Sequence, residues 1–162
     1  MSALFDDDFR SRFSLSPKDL YMGLLSAALL YGVFFLGDYL SSLLFDFARA
    51  QVNGIYLMKE GENPVVLGFL LAFLIGPAEE IFWRGFVQRS LEARYGKWRA
   101  LLWATLAYTL VHLWSFNFML IMAALVCGLF WGMLYIYGRS ITALVISHAL
   151  WDVAVFVLFP IV

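Results

Sequence analysis

The chain has 162 residues, of which 63% are hydrophobic and only 14% are charged. A soluble domain is about one quarter charged, so this composition excludes an ordinary soluble protein and indicates a membrane protein. The net charge of −1 argues against a nucleic-acid partner. With Cys127 as the only cysteine, the chain can form neither an intramolecular disulfide nor a cysteine-based metal site.

The N-terminal segment is acidic, since Asp6, Asp7 and Asp8 follow one another. Signal peptides begin with a basic region, so we expect no cleaved signal peptide here. Residues 1–19 are predicted to form a tail that precedes the first membrane helix.

Five apolar segments are long enough, or nearly so, to cross a bilayer, which takes about 20 residues. They are roughly Leu20 to Leu36, Pro64 to Val87, Ala100 to Leu113, Asn117 to Tyr137 and Ile141 to Phe159. The predicted fold class is therefore all-α: a polytopic membrane helix bundle with about five transmembrane helices.

The connection between the first two spans has a different pattern. Leu40, Leu43, Leu44 and Phe47 recur at helical spacing with polar residues between them, which predicts an amphipathic helix lying in the membrane interface. The alternative is that the first span simply continues into solvent. Residues 20–63 are thus predicted to form the first transmembrane helix and an amphipathic connection.

The Lys and Arg residues predict the orientation of the bundle. With five spans, the N-terminal tail and two of the loops lie on one side and carry Arg10, Arg12, Lys18, Arg89, Arg94, Lys97, Arg99 and Arg139. The other side has only Arg49 and Lys59. The positive-inside rule then predicts a cytoplasmic N-terminus and an external C-terminus.

Polar residues inside the apolar segments are the main functional signal. They are Glu79, Glu80, Arg84, His112, His148 and Asp152. At about 1.5 Å per residue from the nearest cytoplasmic loop, they fall near the middle of a hydrocarbon core about 30 Å thick. Charges at that depth cost several kcal/mol and usually serve function. A carboxylate pair, two imidazoles and another carboxylate are the parts of a hydrolytic acid–base site.

The two adjacent acids are predicted to have separate roles. Glu80 and Arg84 are four residues apart and share a helix face, so Arg84 is expected to neutralise Glu80. Glu79 is turned about 100° away and is left free to act on a water molecule. Pro77, just before the pair, either bends a continuous helix or starts a new one. In both cases the backbone beside the acids is irregular.

The two histidines lie on other helices. His112 ends the third span, one turn after Tyr108, and His148 lies four residues before Asp152, whose carboxylate can orient the imidazole. Glu79, His112 and His148 would also make a two-histidine, one-carboxylate zinc set. The spacing neither supports nor excludes a metal.

These motifs resemble those of the CPBP family of intramembrane proteases, which includes the type II CAAX prenyl endopeptidases and the bacterial Abi proteins. The family pattern is Glu-Glu-x-x-x-Arg, Phe-x-x-x-His and His-x-x-x-Asn or Asp. This chain has Glu79-Glu80-x-x-x-Arg84, Tyr108-x-x-x-His112 and His148-x-x-x-Asp152. Tyr108 replaces the usual phenylalanine, and Asp152 stands where the prenyl endopeptidases have asparagine.

The resemblance implies an intramembrane endopeptidase whose catalytic membrane core spans residues 64–159. Glu79 with His112 would activate water, and His148 with Asp152 would stabilise the oxyanion, supported by Glu80, Arg84 and Tyr108. It implies no cofactor, with zinc as the alternative. It also implies a prokaryotic cell membrane and a membrane-anchored or C-terminal peptide substrate: prenylated, a sorting tail or bacteriocin-like.

Two other functional classes stay open at this stage. The same fold would suit a non-catalytic membrane immunity or scaffold protein, although such a role does not need Glu79, His112 and His148 together. Glutamate and histidine at the membrane midplane also relay protons in carriers. The absence of an inverted repeat from the sequence argues against a carrier.

Overall fold

The computed structural model describes residues 11–13, 15–138 and 140–161. The acidic tail at Asp6–Asp8 and the two cations Arg10 and Arg139 lie outside the described residues. The described helices are α1 (Pro17–Leu44), α2 (Ala48–Leu57), α3 (Pro64–Tyr95), α4 (Lys97–Val111), α5 (Phe118–Gly138) and α6 (Ile141–Leu158). No β-strand occurs in this part of the chain. The predicted all-α membrane bundle is confirmed.

Among the described residues, four helices are long and apolar enough to cross a membrane: α1, α3, α5 and α6. The third predicted span is present as α4, but this helix has only 15 residues and is about 22 Å long. It ends because the chain turns through a 3₁₀ segment, Leu113–Ser115, and Phe116 then adopts a left-handed conformation with φ of 50°. By length, the bundle therefore has four candidate spans rather than about five.

The prediction of a separate amphipathic helix around Leu40 to Phe47 is wrong. Helix α1 continues without a break to Leu44, so most of that pattern belongs to the first span, as the alternative interpretation had it. The helix stops where Phe45 becomes extended, with φ of −133° and ψ of 114°. The short α2 begins only at Ala48. One apolar turn looks the same whether a helix starts there or continues.

Helix α3 is irregular beside the two acids. It passes through Pro77 but widens into π-helical stretches on both sides, Leu71–Ile75 and Ile81–Gln88. The N–H of Gly76 donates to the Leu71 carbonyl, a π-type hydrogen bond. Proline has no N–H to give the preceding turn, so the helix adjusts its hydrogen-bond pattern there. Of the two sequence alternatives at Pro77, the continuous helix is correct.

Helix α6 runs antiparallel to α3, since Gly68 lies near Val157 while Glu80 binds His148. Helix α4 packs closely along α5, where a Cβ on Gly128 would come within 2.9 Å of Thr105. Gly128 and Gly132 lie four residues apart on α5 and thus form a close-packing face, a role typical of small residues at this spacing.

The ends of the bundle are also grouped as the sequence predicts. At one end, Ile141 N–H donates to the Arg12 carbonyl at 2.9 Å and the rings of Trp98 and Tyr137 meet at 6.5 Å. The N-terminal segment, the α3–α4 turn and the start of α6 therefore share an end. The assignment of this end to the cytoplasm stays a prediction.

Candidate active site

Glu80 is the centre of a buried ion cluster. It is fully buried, with 0% exposure, because Gly76 and Glu80 face α6 on the inner side of α3. Its Oε1 accepts a hydrogen bond from Arg84 Nη1 at 2.8 Å and one from His148 Nδ1 at 2.7 Å. The predicted pair with Arg84 is present. The link to His148, across two helices, was not predicted. We call Glu80, Arg84, His148 and Asp152 the ion cluster.

Arg84 ties the ion cluster to α5. Its Nη2 donates to the carbonyls of Cys127 and Gly128 at 3.3 and 3.5 Å. One turn further along α3, Gln88 Nε2 donates to the Gly132 carbonyl at 3.0 Å. The glycines of α5 let α3 approach, and their carbonyls then serve as acceptors. Buried charges need such additional hydrogen bonds to offset the cost of leaving water.

His148 has a partner on its ring face and a carboxylate near each of its two nitrogens. It is buried, its ring stacks on Trp131 at 3.7 Å with planes 21° apart, and its Nε2 lies 3.5 Å from Asp152 Oδ2. Trp131 is fixed in turn by a hydrogen bond from its Nε1 to Ser147 at 3.1 Å. Since a carboxylate paired with arginine only accepts, the Nδ1 facing Glu80 carries a proton. Nε2 can then donate only when the ring is an imidazolium.

Glu79 lies outside the ion cluster. It is half-buried, and its Oε2 accepts a hydrogen bond from the Tyr108 hydroxyl of α4 at 2.9 Å. Tyr108 also connects to His112, whose Nδ1 lies 2.8 Å from the Tyr108 carbonyl. A carbonyl only accepts, so Nδ1 carries the proton and the Nε2 of a neutral His112 has a free lone pair. We call Glu79, Tyr108 and His112 the acid–phenol–imidazole chain.

The predicted site residues therefore form two groups that meet at Arg84. The guanidinium of Arg84 lies over the Tyr108 ring, 5.2 Å from its centroid. Sequence reasoning missed Trp131, Ser147 and Gln88. Of these three, Gln88 could have been found from the sequence, since it is a polar residue one turn after Arg84 in an apolar helix.

A zinc site is not assembled among the described residues. No group of three or more His, Cys, Asp or Glu side chains in that part of the chain could hold a metal ion. In the set Glu79, His112 and His148, both imidazoles have their Nδ1 engaged by protein acceptors, so only their Nε2 atoms could bind a metal. The three side chains are not gathered around one point in this part of the chain, so the donor set does not fit a zinc ion in this arrangement.

A large apolar cavity adjoins His112. Its volume is about 390 Å³, and it lies between α1, α2, α5 and α6. The lining is mostly aliphatic and aromatic and includes Phe34, Val52, Met119, Val126, Trp151 and Phe156. Polar groups among its lining residues are few: Asp38, Ser41, Tyr56, His112 and Cys127. The imidazole of His112 thus belongs to the wall of an apolar cavity.

Comparison with known proteins gives one match. The family model described as "Type II CAAX prenyl endopeptidase Rce1-like" matches residues 61–154. This stretch is more than half of the chain and contains all of the ion cluster and the acid–phenol–imidazole chain. No curated protein and no solved structure matches.

Proposed function

The chain belongs to the Rce1-like family of type II CAAX prenyl endopeptidases, and on this premise we propose that it hydrolyses a peptide bond with water activated by Glu79. Family membership and its apolar helices make it a multi-pass membrane protein. The proposed substrate is a membrane-anchored peptide or the C-terminal segment of a membrane-associated protein.

One observation carries the proposal: the two adjacent acids have different partners. Glu80 is fully buried and binds both Arg84 and His148. Glu79 is half-buried and has the Tyr108 hydroxyl on one oxygen, which leaves its other oxygen for a water molecule. A general base needs access to the proton that it removes. Glu79 is therefore the proposed general base.

The proposed reaction uses both histidines. Glu79 takes a proton from water, and the hydroxide adds to the scissile carbonyl carbon. The C–N bond then breaks as the oxyanion re-forms the carbonyl, and the departing amine takes the proton that Glu79 removed. His112 Nε2 accepts the remaining proton, that of the carboxylic acid product. His148 as an imidazolium donates from Nε2 to the oxyanion. Asp152, 3.5 Å from that nitrogen, balances the positive charge, which an asparagine could not do.

The cavity supports an apolar substrate group. A pocket of about 390 Å³ with His112 in its wall would hold a lipid chain or the apolar side chains of a peptide close to the proposed chemistry. Typical small-molecule sites have volumes of about 300–1,000 Å³ and similar apolar linings. Prenylated, sorting-tail and bacteriocin-like peptides all carry such groups.

The proposed location is a prokaryotic cell membrane with the N-terminus in the cytoplasm, on the strength of the uneven cation distribution. Single cysteines introduced near Lys59 and near Arg94 would check it. A membrane-impermeant thiol reagent should label the first in intact cells and the second only after permeabilisation. The reverse pattern would overturn the orientation.

Glu79→Gln tests the proposed reaction. Purified protein in detergent is incubated with fluorogenic peptides that end in a cysteine followed by three mostly apolar residues, with and without a prenyl group on that cysteine. The variant should lose at least about a hundredfold in kcat, since it removes the general base, while its melting temperature stays near that of the wild type.

The matched control is Glu62→Gln, the same change at an exposed acid outside the bundle core, and it should leave turnover intact. Near-normal turnover by Glu79→Gln would show that Glu79 is not the base. Failure of the wild type to cleave any peptide would favour the immunity or scaffold alternative.

A further inference from the structure

Tyr108 stands between the two acids of α3. It is buried on α4, with 6% exposure, and its hydroxyl donates to Glu79 Oε2 at 2.9 Å. The same ring lies 5.2 Å below the guanidinium carbon of Arg84, the cation that pairs with Glu80. One side chain thus contacts one acid directly and the partner of the other acid through its π face.

This position matters because Glu79 and Glu80 compete for one cation. Arg84 already donates to Glu80 and to the carbonyls of Cys127 and Gly128. A second carboxylate one residue away is attracted to the same positive charge. Among the described residues, Glu79 accepts a hydrogen bond from the Tyr108 hydroxyl. That bond directs the carboxylate toward α4 and away from the ion cluster.

Tyr108 also fixes His112. Its carbonyl accepts from Nδ1 at 2.8 Å, and the two rings meet edge to face with centroids 4.9 Å apart. The Tyr108 ring also packs edge to face against Trp83, with centroids 5.3 Å apart and planes at 82°. The phenol is therefore rigidly placed, and it sets the direction of the acid and the orientation of the imidazole together.

We propose that the Tyr108 hydroxyl is the positioning group for Glu79: it keeps the carboxylate apart from Arg84 and aimed at the water beside His112. This inference rests on the proposed function, since it assigns Glu79 as the base. Tyr108 itself touches neither the water nor the substrate. It acts by selecting one orientation of a side chain that does.

Tyr108→Phe removes the hydroxyl and keeps the ring. We expect kcat to fall about tenfold, the effect of losing one hydrogen bond to a charged group, while KM changes by less than about twofold. The melting temperature should stay close to that of the wild type, because the ring contacts with Trp83 and His112 remain. A loss of packing alone would lower the melting temperature and would not act selectively on kcat.

The matched control is Tyr31→Phe. The Tyr31 hydroxyl donates to the Phe159 carbonyl at 3.1 Å, away from both acids, so this variant should keep the wild-type kcat. If Tyr108→Phe also keeps the wild-type kcat, or changes only KM, the positioning role is overturned.

A double-mutant comparison tests whether the hydroxyl acts through Glu79. Glu79→Asp shortens the side chain by one methylene, so its carboxylate no longer reaches the fixed phenol. Adding Tyr108→Phe to Glu79→Asp should then lower kcat by less than about twofold further. If the fold losses in kcat of the two single variants multiply in the double variant, the hydroxyl does not act through Glu79.

The two hypotheses fail in different ways. If Glu79→Gln abolishes turnover but Tyr108→Phe does not reduce it, only the positioning role falls. If Glu79→Gln retains turnover, the proposed reaction falls, and the positioning role falls with it.

Discussion

The ion cluster and the acid–phenol–imidazole chain use similar residues in opposite ways. In the ion cluster, Glu80 and His148 are buried and each has more than one described partner. In the acid–phenol–imidazole chain, Glu79 and His112 are half-buried, and His112 also lines the cavity. The same residue types are fully engaged in the ion cluster, where His148 keeps only its Nε2 for the proposed oxyanion contact, and are more open in the acid–phenol–imidazole chain, where Glu79 is the proposed base.

Burial of the ion cluster is costly, and this indicates what it is for. Three helices meet at Glu80, which joins α3 to α6 through His148 and, through Arg84, to α5. Its other oxygen, Oε2, is buried without a described hydrogen-bond partner. A buried carboxylate oxygen without a partner adds to the cost of burying this charge. Here the ion cluster fixes the α3 backbone from which Glu79 projects.

Removing one member of the ion cluster gives the largest expected effect. Arg84→Ala leaves the buried Glu80 carboxylate without its cation and should destabilise the fold by about 3–5 kcal/mol. Thermal unfolding in detergent and the yield of membrane-inserted protein measure this loss. Arg94→Ala, at an exposed position in the last turn of α3, is the control and should cost less than about 1 kcal/mol.

A second substitution sharpens the comparison. Adding Glu80→Gln to Arg84→Ala removes the stranded charge and should recover part of the lost stability. If Arg84→Ala keeps the melting temperature of the wild type, the ion cluster does not hold the helices together. Glu79→Gln should behave in the opposite way, with turnover lost and stability kept. If both variants lose stability alike, the contrast between the two groups is wrong.

Local spacing explains how much of the site the sequence could predict. The Glu80–Arg84 pair follows from two residues four apart on one helix, and the structure has it at 2.8 Å. The same spacing brings His148 and Asp152 to 3.5 Å. Each of these pairs depends only on the geometry of a single helix, so no knowledge of the bundle is needed.

The contacts between helices could not be predicted in this way. The bond from His148 to Glu80 joins residues 68 positions apart, and the stacking of Trp131 on His148 depends on how α5 packs against α6. Apolar periodicity cannot distinguish a tryptophan that faces lipid from one that supports an imidazole. The same limit affected α1, where one amphipathic turn did not reveal that the helix continues to Leu44.

The smallest expected effect is that of removing metal. Zinc would need Glu79, His112 and His148 within about 2.0–2.2 Å of one ion, which would merge the two groups into one site. The described arrangement opposes this, since these side chains are not gathered around one point in the part of the chain that the structure describes. We therefore expect cleavage to persist after treatment with EDTA or phenanthroline, and elemental analysis to find less than one metal ion per chain.

One zinc per chain, with cleavage lost on chelation and restored by zinc, would contradict this expectation. The contrast between the ion cluster and the acid–phenol–imidazole chain would then disappear, because both imidazoles would be ligands of one ion. Glu80, which binds Nδ1, would become the residue that orients His148 behind the metal, and Glu79→Gln would lower zinc content together with turnover. Measuring metal content and turnover on the same Glu79→Gln sample distinguishes the two mechanisms, since a metal-free general base predicts a loss of turnover alone.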